Sequence, residues 1–204
     1  MSSIDSGSVV RSFFGAEVRD AMQDLRVETA EATERYLVDL LSSFSVSGRI
    51  QNLFEPLVMQ LQRARNASGP EHAQRMRDLG DVALFVCGFF PDSFERRGID
   101  RTYVVAMGGH AYLVVGEATR GAGHLLGDRG ADYARVFIEL AERFHELARV
   151  LDEVRERTAL STDATVLRLY ERFRESGSPA LLRRLNRRGI NPQGSGPGSG
   201  SGLH

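Results

Sequence analysis

Apolar residues recur every three or four positions along most of the chain, which is the spacing of one face of an α-helix. The first set comprises Val10, Phe14, Val18, Met22 and Leu25. A second set comprises Tyr36, Leu37, Leu40, Leu41 and Phe44. The two sets predict helices over about residues 9–26 and 29–45, either separate or continuous. No segment shows the alternation of apolar and polar residues that indicates a β-strand.

Prolines and a capping residue predict the ends of the next helices. Pro56 and Pro70 suit the first turn of a helix, where a backbone N–H has no partner within the helix. Pro91 ends the helix that Pro70 opens. Asp100 is placed to cap the following helix, because its carboxylate can accept a free N–H group of the first turn. Two shorter helices are expected between residues 161 and 190.

A heptad pattern follows these helices. Its apolar positions are Tyr133, Phe137, Leu140, Phe144, Leu147, Leu151 and Val154. Spacings that alternate between four and three residues keep these side chains on one stripe of a helix. The pattern predicts one long helix over residues 131–158, which would be the spine of a bundle or the seam of a dimer. The several other amphipathic helices of the chain favour the spine.

Two apolar segments, residues 79–90 and 103–116, each hold a large residue with glycine four positions away on either side. The two triplets are Gly80, Leu84, Gly88 and Gly108, Tyr112, Gly116. Glycine inside a helix costs about 1 kcal/mol relative to alanine, and it is retained where two backbones approach closely. We expect a helical hairpin in which Leu84 and Tyr112 pack against the glycines of the facing helix. Alternatively, the glycines would line a ligand cavity.

These patterns predict an all-α protein, a single bundle of about seven or eight helices over residues 9–190. The glycine-rich hairpin, residues 79–117, would pack on the heptad helix. Residues 120–130 are rich in glycine and predict a flexible connection. Residues 1–8 and the Gly/Ser-rich residues 191–204 are expected to be disordered.

Composition excludes several kinds of function. Apolar residues make up 42% of the chain and the net charge is −1, which is typical of a folded protein and not of one that binds nucleic acid with its whole surface. All 26 Lys and Arg positions are arginine. The chain therefore has no lysine side chain for a Schiff base or for the phosphate-binding lysine of a P-loop. The longest uncharged segment is shorter than the ~20 residues that span a membrane. With no signal peptide pattern, we expect a cytoplasmic protein.

Four side chains of the hairpin are candidates for a ligand pocket: His110, Tyr112, Tyr103 and Cys87. His110 shares a helical face with Tyr103, Ala106, Leu113 and Glu117. A buried histidine beside tyrosine and glutamate would suit a haem or metal ligand or a general base. Alternatively, His110 is a core residue that bonds to a neighbouring carbonyl. No group has the spacing of metal ligands and Cys87 is the single cysteine, so we predict no metal and no cofactor.

The second candidate site is a group of arginines near the end of the chain. It consists of Arg183, Arg184, Arg187 and Arg188. Pairs four residues apart lie on the same side of a helix, so these side chains would form a basic patch. Such a patch binds phosphates of a nucleic acid or an acidic protein. The alternative is a solvated face that forms ion pairs with acidic residues of the same chain.

Three segments carry a resemblance to known sequences. They are residues 78–93 (DLGDVALFVCGFFPDS), residues 103–112 (with MGGHAY at the end), and residues 169–178. In these segments the chain resembles an uncharacterised group of bacterial helical proteins, and the similarity covers most of residues 10–190. The resemblance implies an all-α bacterial protein of the cytoplasm and implies no activity, cofactor or catalytic residue.

The sequence thus favours a non-enzymatic helical protein that acts through protein–protein interaction, either with another protein or with itself. No catalytic motif with the expected spacing occurs. The first alternative is a bundle that binds a small ligand, haem or metal near His110, with or without catalytic activity. The second is a nucleic-acid accessory protein that uses the C-terminal arginines.

Overall fold

The computed structural model describes residues 6–46, 55–91, 94 and 99–158. Within these ranges the chain is all-helical, which confirms the predicted fold class. The chain divides into two compact units, Met1–Leu160 and Ser161–His204, and the described helices belong to the first. The helices predicted after residue 160, the arginine group and the Gly/Ser-rich tail lie outside the described residues.

Seven helices are described, and their ends follow the local sequence. They are α1 (Ser6–Leu25), α2 (Glu31–Val46), α3 (Leu57–Asn66), α4 (Gly69–Phe89), α5 (Arg101–Gly121), α6 (Gly123–Glu142) and α7 (Phe144–Thr158). The first two are separate, because Arg26 ends α1 with a φ of 54°. At α5 the carboxylate of Asp100 accepts the N–H of Thr102 at 2.8 Å, as the sequence predicts.

The long heptad helix is interrupted, which corrects the prediction of one helix over residues 131–158. The break lies at Arg143, whose φ and ψ are −108° and 20°. The guanidinium of Arg143 donates to the carbonyl of Glu28 and pairs with Glu146 at 2.6 Å. The break has no proline or glycine to mark it, and one of the contacts that accompany it, with Glu28, comes from a distant part of the chain. The apolar spacing therefore gives no sign of it.

The apolar stripe nevertheless continues across the break and lies in the core. Six of its seven members are at most 2% exposed: Phe137, Leu140, Phe144, Leu147, Leu151 and Val154. Tyr133 is 41% exposed. The stripe is therefore buried against other parts of the same chain. This burial supports the prediction of a bundle spine and not that of a dimer seam. The flexible connection predicted over residues 120–130 is also corrected. Helix α6 already begins at Gly123 and bends at Gly127, where φ is 60°.

Helix α4 lies at the centre of the unit and packs against α2, α3, α5 and α7. Helix α5 packs against α4, α6 and α7, and α1 packs against α2 and α7. Stacked rings join α2 to α4, with Phe44 and Phe85 centred 4.3 Å apart. In the part of the chain that the structure describes, no helix combines the length and apolar character that crossing a membrane requires.

The glycine triplets serve four helix–helix interfaces instead of one. A Cβ atom at Gly80 would lie 2.7 Å from the ring of Tyr112, so this glycine admits the large residue of the facing helix. Gly108 receives Phe144 and Ala83 and not Leu84. The two outer glycines face other helices: Gly88 faces α7 and Gly116 faces α6. The expectation that the two triplets simply face one another is corrected accordingly.

The substitution Gly88→Ala tests the close packing of α4 on α7. Its Cβ would overlap Leu151 and lie 3.1 Å from the backbone oxygen of Ala148, which cannot move without shifting α7. We expect a loss of about 1–3 kcal/mol in the free energy of unfolding, measured by urea denaturation.

Gly15→Ala is the matched control, because its added Cβ would meet no atom within 4 Å outside its two chain neighbours and the backbone of its own helix. It removes a glycine from the interior of α1 and should stabilise the protein by about 0.5–1 kcal/mol. Equal effects of the two substitutions would show that the contact with α7 does not require glycine.

Candidate functional site

The structure does not bring the four predicted pocket residues together. His110 and Tyr103 lie on the solvent side of α5, and Tyr103 is 51% exposed. Tyr112 and Cys87 are fully buried. His110 and Tyr112 are two positions apart and therefore point in nearly opposite directions, since each residue turns an α-helix by about 100°. The idea of a buried His110 that shares a pocket with Tyr112 is corrected by this geometry.

Cys87 has the properties of a packed core residue. Its side chain is 0% exposed, and burial raises the pKa of the thiol to about 11, an effect that the nearby Arg101 only partly opposes. Arg101 also donates a hydrogen bond to the backbone oxygen of Cys87 at 3.3 Å. Because the thiolate is the nucleophilic and metal-binding form, Cys87 is unreactive near neutral pH in the folded protein.

The residue that sequence reasoning missed is Asp81. This carboxylate is 2% exposed in the middle of α4. Its Oδ1 accepts a hydrogen bond from the hydroxyl of Tyr36 at 2.6 Å and another from the hydroxyl of Tyr112 at 2.9 Å. The available signal was a lone acidic residue inside an apolar helical segment, because a buried carboxylate needs strong hydrogen-bond partners.

Arg77 connects this buried group to the surface. It lies one turn before Asp81 on α4, is half-buried, and donates from Nε to the hydroxyl of Tyr36 at 3.0 Å. Its guanidinium lies 5.3 Å from the centre of the Tyr36 ring and 6.0 Å from those of Tyr133 and Phe137. These distances are typical of cation–π contacts. We call Arg77, Asp81, Tyr36 and Tyr112 the buried polar cluster.

The protonation states in the cluster follow from its burial. Burial raises the pKa of both Tyr36 and Tyr112, and the negative charge of Asp81 raises them further. Burial alone would lower the pKa of Arg77, but the interactions with Tyr36 and Asp81 outweigh it and the net pKa is raised. Both tyrosines are thus neutral hydrogen-bond donors and Arg77 is a cation. The cluster joins α2, α4 and α5, and this state suits structural cross-linking better than proton transfer at neutral pH.

A second polar group joins α2 to the end of α6. Glu139 accepts hydrogen bonds from Thr33 Oγ1 at 2.6 Å and from the backbone N of Ala30 at 3.3 Å. It thereby caps the N-terminus of α2 from a different helix. Arg143 pairs with the same carboxylate at 3.4 Å. The described residues include no group of three His, Cys, Asp or Glu side chains that could hold a metal ion.

One face of α5 is exposed along its whole length. Its members are Tyr103, Ala106, His110, Leu113 and Glu117, and all five are exposed. We call this face the α5 stripe. Its spacings are three, four, three and four residues, which is the spacing of helices that pack along a seam. The opposite face is buried at Val104, Met107, Gly108, Ala111, Tyr112, Val115 and Gly116. The sequence pattern places these five residues on one helical face, as observed, but the expectation that this face lies in the core is corrected by its exposure.

Comparison of the chain with protein-family models, with curated proteins and with solved structures found no match. The resemblance to bacterial helical proteins therefore stays a prediction. The basic patch of Arg183, Arg184, Arg187 and Arg188 also stays a prediction, since it lies outside the described residues.

Removal of single hydroxyls tests the buried polar cluster. Tyr112→Phe and Tyr36→Phe each take one donor from Asp81, so each should lower the free energy of unfolding by about 1–3 kcal/mol. The double variant should deviate from additivity, because both hydroxyls bond the same oxygen. Urea denaturation measures the free energy of unfolding of the two single variants and of the double variant. Tyr103→Phe, at an exposed position, is the control and should change stability by less than about 0.5 kcal/mol.

The cluster also predicts a loss of stability in alkali. The pKa values of Tyr36 and Tyr112 in the folded protein lie above the ordinary value of 10.0, so unfolded tyrosines lose their protons first. The contribution of these groups is complete below pH 10 and falls as the pH rises above it. Absorbance at alkaline pH should show that two or more of the five tyrosines ionise later in the native protein than in urea. Simultaneous ionisation of all five would contradict this assignment.

Proposed function

We propose that this protein acts through protein–protein interaction, that it has no catalytic activity, and that the α5 stripe is its contact surface. The observation that carries the proposal is the exposure of five residues at seam spacing on a helix whose opposite face is fully packed. A partner helix laid along the stripe would contact positions at i, i+3, i+7 and i+10, which is how amphipathic helices are recognised.

The residue types of the stripe suit such a contact. Tyr103 is 51% exposed and Leu113 is 38% exposed, and covering both would remove apolar surface from water. Tyrosine contributes strongly to interfaces, because its ring packs while its hydroxyl keeps a hydrogen bond. Ile99, two residues before α5, is also exposed, at 41%. His110 and Glu117 supply polar groups that would restrict which partner fits.

The stripe is also held rigidly. Tyr112, on the opposite side of α5, is anchored to Asp81 at 2.9 Å, and Gly108 is packed against Phe144. Asp100 caps the first turn. A surface fixed in advance loses little conformational entropy when it binds, which favours affinity. The buried polar cluster therefore supports the interaction role from inside the fold.

The two alternatives have less support. A ligand pocket near His110 would need Tyr112 and Cys87 beside it, and these side chains are buried away from the exposed histidine. The buried polar cluster has strongly raised tyrosine pKa values, which do not suit acid–base catalysis at neutral pH. Nucleic-acid binding depends on the C-terminal arginines and is a separate prediction.

Site-specific photo-crosslinking in the native host tests the proposal. A photoreactive residue at Ala106, on the stripe, should give a discrete crosslinked product, either with another protein or with a second copy. Gln23, exposed on α1, is the control position and should give no such product. Leu113→Arg should remove the product without changing the helical circular dichroism. Equal labelling from Ala106 and Gln23 would overturn the proposal.

A further inference from the structure

We propose that α1 is a detachable strap, which exposed ion pairs hold against α2 and α7 and which separates from them while α4 stays packed. The proposal concerns a different helix from the α5 stripe and does not depend on the proposed function. Helix α1 packs against α2 and α7, whereas α4 packs against α2, α3, α5 and α7. Separation of α1 therefore disrupts fewer helix contacts than separation of the central helix.

One side chain of α7 contacts three carboxylates of α1. The guanidinium nitrogens Nε, Nη2 and Nη1 of Arg157 lie 3.4, 3.2 and 2.6 Å from carboxylate oxygens of Glu17, Asp20 and Asp24. Each nitrogen thus pairs with a different carboxylate, and the carboxylates follow one another along about two turns of α1. We call these four residues the Arg157 clasp. Loss of Arg157 would remove all three ion pairs at once.

Two further ion pairs join α1 to α2. Arg11 pairs with Asp39 at 2.9 Å, and Arg19 pairs with Glu34 at 3.3 Å. Together with the Arg157 clasp, they give all five charged side chains of α1 a partner on another helix. The other ion pairs between described side chains join residues that are close in the sequence. Among the described side chains, charge pairing between helices is therefore a property of α1.

The ion pairs of the clasp are open to salt. The side chain of Arg157 is 31% exposed, and those of Asp20 and Asp24 are 54% and 57% exposed. Exposed ion pairs are weak individually and weaken further as ionic strength rises. Because three of them share one cation, they weaken together. The attachment of α1 thus depends on ionic strength more than the attachment of a helix held by apolar packing alone.

The apolar side of α1 is only partly buried. Its side chains in the core are those of Phe14, Val18, Ala21 and Met22. Val9 and Phe13, nearer the start of the helix, are 53% and 45% exposed. Elements with few buried contacts open locally at a lower free energy than the whole protein unfolds. Opening of α1 would uncover its own apolar side together with the sides of α2 and α7 that it covers, so charge would control how much apolar surface the protein exposes.

Hydrogen exchange of the purified full chain, followed by mass spectrometry, tests the proposal. Peptides that cover residues 14–22 of α1 should exchange through an opening that leaves the peptides of α4 protected. NaCl at about 1 M, where the Debye length is about 3 Å, should speed the exchange of α1 at least about fivefold and leave that of α4 unchanged. Exchange of α1 only together with α4 would overturn the proposal, because α1 would then separate only when the whole unit unfolds.

Arg157→Gln tests the clasp at low ionic strength. The variant should speed the exchange of α1 at least about fivefold and should respond less to added NaCl. Asp24→Asn, which removes only the shortest ion pair of the clasp, should have a smaller effect in the same direction. The matched control is Arg75→Gln, which removes an ion pair of 2.7 Å with Glu71 inside α4 and should leave the exchange of α1 unchanged.

The variants also give the results that would contradict the strap. If Arg157→Gln accelerated the exchange of α1 and of α4 by the same factor, the clasp would stabilise the whole unit and α1 would not be detachable. If Arg157→Gln had no larger effect on α1 than Arg75→Gln, the ion pairs would not hold the helix. Either result would overturn the proposal.

Discussion

The buried carboxylate of Asp81 constrains the fold more than any other group described. An ionised group inside a protein is strongly unfavourable unless polar partners replace the lost water. Here the hydroxyls of Tyr36 and Tyr112 are among those partners, and they come from α2 and α5, at 2.6 and 2.9 Å. Rotation of either helix would withdraw a donor from the charge. The cluster therefore fixes which side of α5 faces inward and, in consequence, which side faces solvent.

Glycine makes this arrangement sterically possible. Gly80 directly precedes Asp81, and a Cβ there would lie 2.7 Å from two ring carbons of Tyr112. Any larger residue would push the ring away from α4 and its hydroxyl away from the carboxylate. The close packing at Gly80 and the buried polar cluster are thus one feature. Gly80 leaves room for the ring of Tyr112, and the adjacent Asp81 accepts a hydrogen bond from its hydroxyl. The exposed surface of α5 depends on both.

Sequence reasoning succeeded where one local pattern decides the outcome. Apolar periodicity and the prolines were enough to predict most of the described helices, and Asp100 was recognisable as a cap from its position alone. Sequence reasoning failed where contacts between residues far apart in the chain determine the structure. The break at Arg143 involves Glu28, more than a hundred residues earlier. The outward side of α5 could not be recognised because that helix is apolar on most of its surface. Asp81 stands out as a lone acidic residue in an apolar segment, but its hydrogen-bond partners come from α2 and α5 and cannot be predicted from its neighbours in the sequence.

The single cysteine is a built-in probe of local opening of the folded protein. Cys87 lies on the same helix as Gly80 and Asp81 and is completely shielded from solvent. A thiol reagent can reach it only during the moments when α4 separates from its neighbours. Under conditions in which the helices close faster than the reagent reacts, the modification rate measures the free energy of that opening. The chain can thus report the stability of its central helix without any added label.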